Sequence, residues 1–292
     1  MTNHRFTVKT RMPEQPSVRT ERTITWRVRR ASRQGVSEGA IVVAGEEPLE
    51  VRLNGQPIAV LMRLPGDEKE LAAGFCLSEG YVRRSDDLLL IHHCGRTALG
   101  PDDPLESSNR VEVTARPEAL TRPPEMTRLI LSGCGSTGST AAAAQFATGL
   151  PPVQSDLHLR QEVLLGLAQA LVAAQGVHKQ TGGVHAAALF TRTGELLVLR
   201  EDIGRHNAVD KVLGYALLRH LPLSDKVLLT TGRASHEMVV KAVRVGLPVV
   251  ASVSSPTSLA VQLASRLNCT LVGYLRGQRM VIYTHWWRVG DE

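Results

Sequence analysis

Two stretches of this chain share one plan, and that plan constrains the fold more than any other feature. An apolar run at residues 196–199 leads into Gly204-Arg205-His206-Asn207 and then a helix-like segment at 208–218. A second run at 227–231 leads into Gly232-Arg233-Ala234-Ser235 and a helix at 236–245. Short apolar runs closed by glycine suit strands, and strand–turn–helix units in series specify an α/β fold with a parallel or mixed sheet covered by helices. The flanking sequence continues the alternation. Residues 161–175 read as a helix, 186–190 and 196–199 as a hairpin across Thr193-Gly194, and 248–253 as a strand. Ser254-Ser255-Pro256-Thr257 opens a further helix with a serine cap and proline in its first turn. Residues 270–275 and 280–284 are the last strands.

The first part of the chain is organised differently. Residues 49–53 and 58–62 are strands joined by Asn54-Gly55, a strong hairpin signal, and 67–79 is a helix stopped by Gly80. Residues 111–114 form a short strand, and the Pro-rich polar stretch 116–126 marks a boundary. The division is therefore a tail at 1–38, a smaller α+β domain at 39–125 and the α/β domain at 126–292. The tail is Arg-rich and reads as a solvated, disordered segment, or as an electrostatic contact for an acidic partner or a nucleic acid.

Composition narrows the function classes. The 292 residues are 43% hydrophobic and 21% charged, with a net charge of +6, as in an ordinary globular protein. No stretch nears the roughly 18 apolar residues of a membrane span, and no apolar signal core stands at the N-terminus. Four cysteines without disulfide-like density fit a reducing cytoplasm. Aromatics are only 4%, so stacking platforms for nucleic acid are scarce, and no nucleic-acid module is recognisable.

The chemistry is carried by turns and one loop. A Gly-Arg turn opening a helix offers free backbone N–H groups, a positive dipole end and a guanidinium that grips phosphate in bidentate fashion. Two such turns on one sheet edge, bearing Arg205, His206, Gly232 and Arg233, suit a ligand with more than one phosphate. Lys211 and Lys241, further into the helices, read as solvated charges, and Asp210 is given no chemistry. Tyr274-Leu275-Arg276-Gly277-Gln278-Arg279 reads as a turn between strands with exposed arginines. The loop Leu131-Ser132-Gly133-Cys134-Gly135-Ser136-Thr137-Gly138 keeps side chains away from the Cys134 sulfur. The protein's positive field and a nearby helix N-terminus favour the thiolate there. Cys76, in an apolar helix pattern, and Cys269, before a strand, are structural. Cys94 follows His92-His93, a poor zinc signature because no second spaced pair accompanies it.

These residues also carry a family resemblance. Glu201, Gly204-Arg205-His206-Asn207 and Asp210-Lys211 resemble the signature of the formate dehydrogenase accessory sulfurtransferases, the FdhD/NarQ family. So do 47–54, 64–67, 71–80, Thr181-Gly182-Gly183-Val184-His185-Ala186, Gly232 to Ser235 with Glu237 and Lys241, 255–260 and 271–277. The resemblance runs from about residue 46 to 283. It implies a three-layer mixed sheet like that of the cytidine deaminases, and a cytoplasmic homodimeric sulfurtransferase. It further implies that Cys134 takes a persulfide sulfur from a cysteine desulfurase. The acceptor is the bis-guanine-dinucleotide molybdenum (or tungsten) cofactor of the formate dehydrogenase apoenzyme, bound as substrate by Tyr274 to Arg279 with the Gly-Arg turns. The family loop reads Cys-Gly-x-Cys; Thr137 stands at the second cysteine, which removes a dithiol route and leaves persulfide transfer intact.

Two rival readings differ in chemistry. A non-catalytic cofactor chaperone would need the turns and not Cys134. A zinc deaminase would need His-x-Glu and Cys-x-x-Cys; Ala187 holds the Glu position after His185, and no Cys-x-x-Cys exists, so no zinc is expected.

Overall fold

The computed structural model describes residues 22–94, 109–124, 128–130 and 149–290. The described chain begins with a long hairpin of β1 (Thr23–Ser32) and β2 (Gly35–Ala44), which pair with each other in a separate two-stranded sheet. β3 (Glu47–Leu53) and β4 (Gln56–Arg63) follow, joined at Asn54 (φ 49°) and Gly55 (φ 80°). Both φ values are positive, as a type I′ turn requires, which is why Asn-Gly stands there. Helix α1 (Glu68–Ser78), β5 (Leu88–Cys94), β6 (Arg110–Ala115) and β7 (Arg128–Ile130) complete the first unit, whose five-stranded sheet has the order β5-β6-β3-β4-β7.

The second unit starts with β8 (Leu159–Arg160), α2 (Gln161–Ala174) and α3 (Val177–Thr181). Next come β9 (His185–Phe190), β10 (Leu196–Asp202), α4 (Arg205–Leu218) and β11 (Val227–Thr230). α5 (His236–Arg244), β12 (Val249–Ser252), α6 (Ser258–Arg266), β13 (Thr270–Arg276) and β14 (Arg279–Ile282) follow. β15 (Val289–Gly290) closes the described chain by pairing with β8. The central sheet has six strands in the order β10-β9-β11-β12-β13-β14, with β11, β12 and β13 parallel. Side chains alternate across it. Ala186, Ala188, Phe190, Leu229 and Ala251 face α2, while Ala187, Leu189, Leu228 and Val250 join the core shared with α4, α5 and α6. Both faces are covered, so these strands are continuous apolar runs.

α1 joins the two units. It is buried almost all round and crosses α4 at a glycine pair. A methyl group on Gly74 would sit 1.8 Å from the Asp210 carbonyl oxygen, and one on Gly214 equally close to that of Glu70. Only two glycines let the helix backbones approach so closely.

The structure departs from the sequence expectations at four points. Residues 23–38 are not a disordered tail: they form most of the hairpin, because Ile24, Trp26 and Val28 alternate with polar residues opposite Val43 and Ile41. The Pro-rich boundary falls before β7, and that strand pairs with β4, so the first unit extends past residue 125. β5 was not anticipated. The cap of α6 is Thr257, whose side chain accepts from the Ala260 N–H; Ser254 and Pro256 lie in the approach to it.

Candidate functional site

β9 runs antiparallel to both β10 and β11, so β10, β11, β12 and β13 all end at one edge of the sheet. The N-termini of α4, α5 and α6 and the start of β9 lie at that same edge. Ligands on α/β sheets gather where strands end and helices begin.

Much of the motif around Arg205 builds this edge instead of facing it. The Glu201 carboxylate accepts from the backbone N–H groups of Gly176, Val177 and His178, at 3.0, 2.8 and 2.8 Å, and so caps α3. Asp202 accepts from Gly204 N–H and Asn207 Nδ2, both at 3.0 Å, and from Leu64 N–H at 3.2 Å. Lys211 is fully buried and pairs with Asp202 at 2.8 Å, also donating to the Leu64 carbonyl. Asn207 donates to the Met62 carbonyl. These bonds pin the β10–α4 turn to the first unit, between residues 62 and 64. Lys241 is buried too, with Asp210 at 2.9 Å and Glu79 at 3.1 Å. Burial alone would depress its pKa, but those two carboxylates raise it and hold the ammonium charged. Lys211 and Lys241 are thus not the solvated charges that their helical positions suggest. Asp210, which also accepts from Ser78 Oγ at 2.7 Å, belongs to the interior.

What the motif leaves at the edge is Arg205 and His206. Gly232 lies directly against Arg205, so the two Gly-Arg turns meet. His206 Nε2 stands 2.6 Å from Glu237 Oε2 and ties the start of α4 to the first turn of α5. Burial works against the Glu237 carboxylate, yet its bond to His206, with Lys241 and Arg205 nearby, keeps its pKa below the usual range. His185, at the start of β9, approaches Thr231 Oγ1 at 3.3 Å. Burial, reinforced by the positive field of Arg205, pushes its pKa down and leaves the ring neutral. The Gly232 carbonyl accepts from Ser252 Oγ, and Ala234 exchanges backbone bonds with Ser255 and Thr257, so the third turn joins the row. Arg233 is exposed.

The β13–β14 turn adds a cleft on the other face of the sheet. A cavity of about 620 Å³ opens between α2 and this turn, and its polar rim includes Glu162, Gln169, Lys179, Arg276 and Gln278. Leu275 and Gly277 also line it; Tyr274 and Arg279 flank it without lining it. Tyr274 has a positive φ of 53°, unusual for an aromatic residue, at a bulge where pairing with β14 shifts. Arg276 lies over its ring at 5.8 Å. Arg205, His206, Gly232 and Arg233 do not line this cleft; they start the helices of the opposite face. The sequence-predicted residues therefore form two groups at one sheet edge.

Cys134 and Thr137 lie outside the described residues. Of the other cysteines, Cys76 and Cys269 are buried, and burial first of all pushes both thiols up to about 12. Neither supplies a thiolate at neutral pH. Cys94 is half-buried at the end of an edge strand. Among the described residues no group of three or more His, Cys, Asp or Glu side chains could hold a metal ion, and no helix is long and apolar enough to cross a membrane.

Residues 44–290 match the model of the FdhD/NarQ family. Sulfur carrier protein FdhD of Streptomyces avermitilis is 45% identical over 273 residues, covering 90% of this chain and 93% of the relative. That of Mycobacterium tuberculosis is 43% identical, covering 88% and 95%. That of Sulfurisphaera tokodaii is 40% identical, covering 85% and 91%. A crystal structure described as a formate dehydrogenase accessory protein from Desulfotalea psychrophila superposes with a TM-score of 0.75 at 29% identity, covering 92% of this chain and 100% of that one.

Proposed function

Because the chain belongs to the FdhD/NarQ family, we propose that it is a sulfur carrier acting for formate dehydrogenase, and that it works as a persulfide-relay sulfurtransferase. In this reading a cysteine desulfurase supplies the sulfur, Cys134 carries it, and the bis-guanine-dinucleotide molybdenum cofactor receives it as substrate. The meeting of Arg205 with Gly232, at the edge where three helices begin, is the observation that supports this reading best. It gathers guanidinium and helix N-termini where a polyanion would sit. The cleft beside Leu275 to Gln278 offers a second place for the same extended ligand.

The chemistry is two displacements at sulfur. The Cys134 thiolate attacks the terminal sulfur of the desulfurase persulfide; a new S–S bond forms, the old one breaks, and the donor cysteine leaves as thiolate. The terminal sulfur then passes to the metal. Cys134 leaves as thiolate, and the acceptor supplies the two electrons that turn sulfane sulfur into sulfide. One thiol suffices for both steps, so Thr137 in place of a second cysteine is compatible with them. The site works in a reducing cytoplasm in a homodimer, on an architecture akin to the cytidine deaminases but with Ala187 buried in β9 at the position of the deaminase glutamate.

Incubation with a cysteine desulfurase and cysteine, followed by intact and peptide mass spectrometry, tests the reading. One extra sulfur on Cys134, removed by reductant and absent from Cys134→Ala, is the expected result. An active desulfurase that leaves Cys134 unmodified refutes it, and Cys134→Ala that still activates formate dehydrogenase points to a cofactor chaperone.

A further inference from the structure

We propose that β14, the edge strand of the six-stranded sheet, is the surface on which a second copy of this chain docks, antiparallel and about a two-fold axis at Val281. The inference rests on the homodimer reading and gives that dimer a surface. β14 pairs with β13 on one side, and among the described residues no strand pairs with its other side. Tyr283 N–H donates to the Leu271 carbonyl at 2.8 Å. Backbone groups alternate in direction along a strand, so Val281 also turns its N–H and C=O to β13, while Met280 and Ile282 turn theirs outward. Such an edge is a template for another strand unless it is blunted. The edge strand on the opposite side of the sheet is blunted: β10 ends in Arg200, Glu201 and Asp202, and its pairing with β9 breaks register. β14 carries one charge, Arg279, at its start, and no proline. The extra residue at the bulge near Tyr274 lies on β13, which leaves β14 regular.

Both faces of β14 complement themselves in one register. Met280 and Ile282 lie on the α2 face, partly buried against its core. Arg279, Val281 and Tyr283 alternate with them onto the other face, where Val281 is 45% and Tyr283 37% exposed. The Tyr283 ring is seated there against Gly273: a methyl group on that glycine would lie 3.1 Å from Tyr283 Cε2. With Val281 set opposite Val281 of the second copy, Met280 stands opposite Ile282 and exchanges backbone hydrogen bonds with it. Arg279 then stands opposite Tyr283, guanidinium beside aromatic ring. Each outward group meets one that suits it, and the two copies of Arg279 are held at opposite ends of the strand pair.

This complementarity favours a second copy over other occupants. A strand of another protein would satisfy the backbone of Met280 and Ile282, but the match to Arg279, Val281 and Tyr283 is supplied by β14 itself. A nucleic acid would find a single cation on the strand and leave Val281 uncovered. The net charge of +6 opposes contact between copies in general, so contact is favoured where charge is sparse, as along β14. Trp286 and Trp287, 72% and 46% exposed, follow the strand and enlarge the apolar surface that a stable dimer needs to bury.

The test is analytical ultracentrifugation of the full-length chain over a concentration series. The variants are Val281→Lys and Val281→Glu; Val281 is exposed, so neither substitution enters the core, and thermal melting checks that each is folded. Expected is a wild-type dimer whose dissociation constant rises about tenfold or more in each variant, because like charges then face each other across the axis. Mixing the two variants sets lysine opposite glutamate and restores the dimer. Ile282→Pro, which removes an N–H that β13 does not use, weakens the dimer as well. Wild-type dimerisation in both charge variants overturns the edge and leaves the homodimer reading intact, whereas a wild-type chain that stays monomeric overturns both. A mixture that stays monomeric moves the axis away from Val281 and overturns the register. Variants that dimerise normally but no longer bind the cysteine desulfurase or the formate dehydrogenase apoenzyme assign the edge to that partner and overturn the proposal.

Discussion

Gly232 packs so tightly on Arg205 that a methyl group on its Cα would lie 2.7 Å from the Arg205 Cβ and 2.9 Å from its Cδ. The near atom is the root of the side chain, so Arg205 cannot swing clear by rotating its far end. Gly232→Ala is expected to fold with a loss of about 1–3 kcal/mol, typical of overpacking, and to displace the guanidinium. Sulfur loading of Cys134 should persist while activation of formate dehydrogenase falls. Parallel measurement of both readouts checks this; unchanged activation means that Arg205 does not depend on Gly232.

Lys211 and Asp202 form a buried ion pair on which the β10–α4 turn depends. Lys211→Met leaves the Asp202 carboxylate without its cation, a change that costs about 3–5 kcal/mol when a buried pair loses one partner. Lys211→Met with Asp202→Asn removes both charges and keeps one side-chain oxygen, which can accept from Gly204 N–H and Asn207 Nδ2 while the bond from Leu64 N–H, made to the other carboxylate oxygen, is lost. Urea unfolding should show the double variant more stable than the single one. Equal losses would mean that the hydrogen bonds, not the charges, secure the turn.

The parts of the fold legible in the sequence are those governed by local signals. The Asn54-Gly55 turn, Gly80 after α1 and the alternation along β9 to β13 each follow from backbone preference or side-chain period over a few residues. Arg205 and Gly232 were visible as two copies of one turn, but their contact was not, since it depends on β9 lying between β10 and β11. Lys211 and Lys241 were misread, and Asp210 was left without a role, because each meets its partner across the fold: Asp202 lies nine residues before Lys211, and Asp210 meets Ser78 and Lys241 from other helices. The hairpin was misread because its arginines outweigh its two-residue period in any compositional measure. Nothing in the local sequence singles out Gly74 and Gly214; only the crossing of α1 and α4 gives them a purpose.

His185 links stability to pH. Its folded pKa is depressed below the usual 6.5, first by burial and then by Arg205 and neighbouring histidines. The unfolded chain therefore takes up this proton before the folded one does. The stability that goes with the neutral ring is fully present above about pH 6.5. It declines as pH falls below that value and levels off below the folded pKa. His185→Gln should lack this part of the slope in a series of melting curves from pH 8 to 5. An identical slope in the variant would show that His185 titrates as freely when folded as when unfolded.

Burial sets Cys76 and Cys269 apart from Cys94 among the described cysteines. Cys76 lies in the interior beside Asp210 and Glu79, and Cys269 is fully buried ahead of β13; both thiols are pushed up to about 12. At pH 8 a thiol with that pKa is ionised in about one molecule in ten thousand, and alkylation proceeds through the thiolate. The native protein should therefore react with iodoacetamide at Cys134 and Cys94 while Cys76 and Cys269 stay unmodified until the chain is unfolded in guanidinium. Peptide mapping of a time course reads all four rates. Rapid labelling of Cys76 in the native state would mean that the α1–α4 interface is open to solvent and that its thiol competes with Cys134 as sulfur carrier.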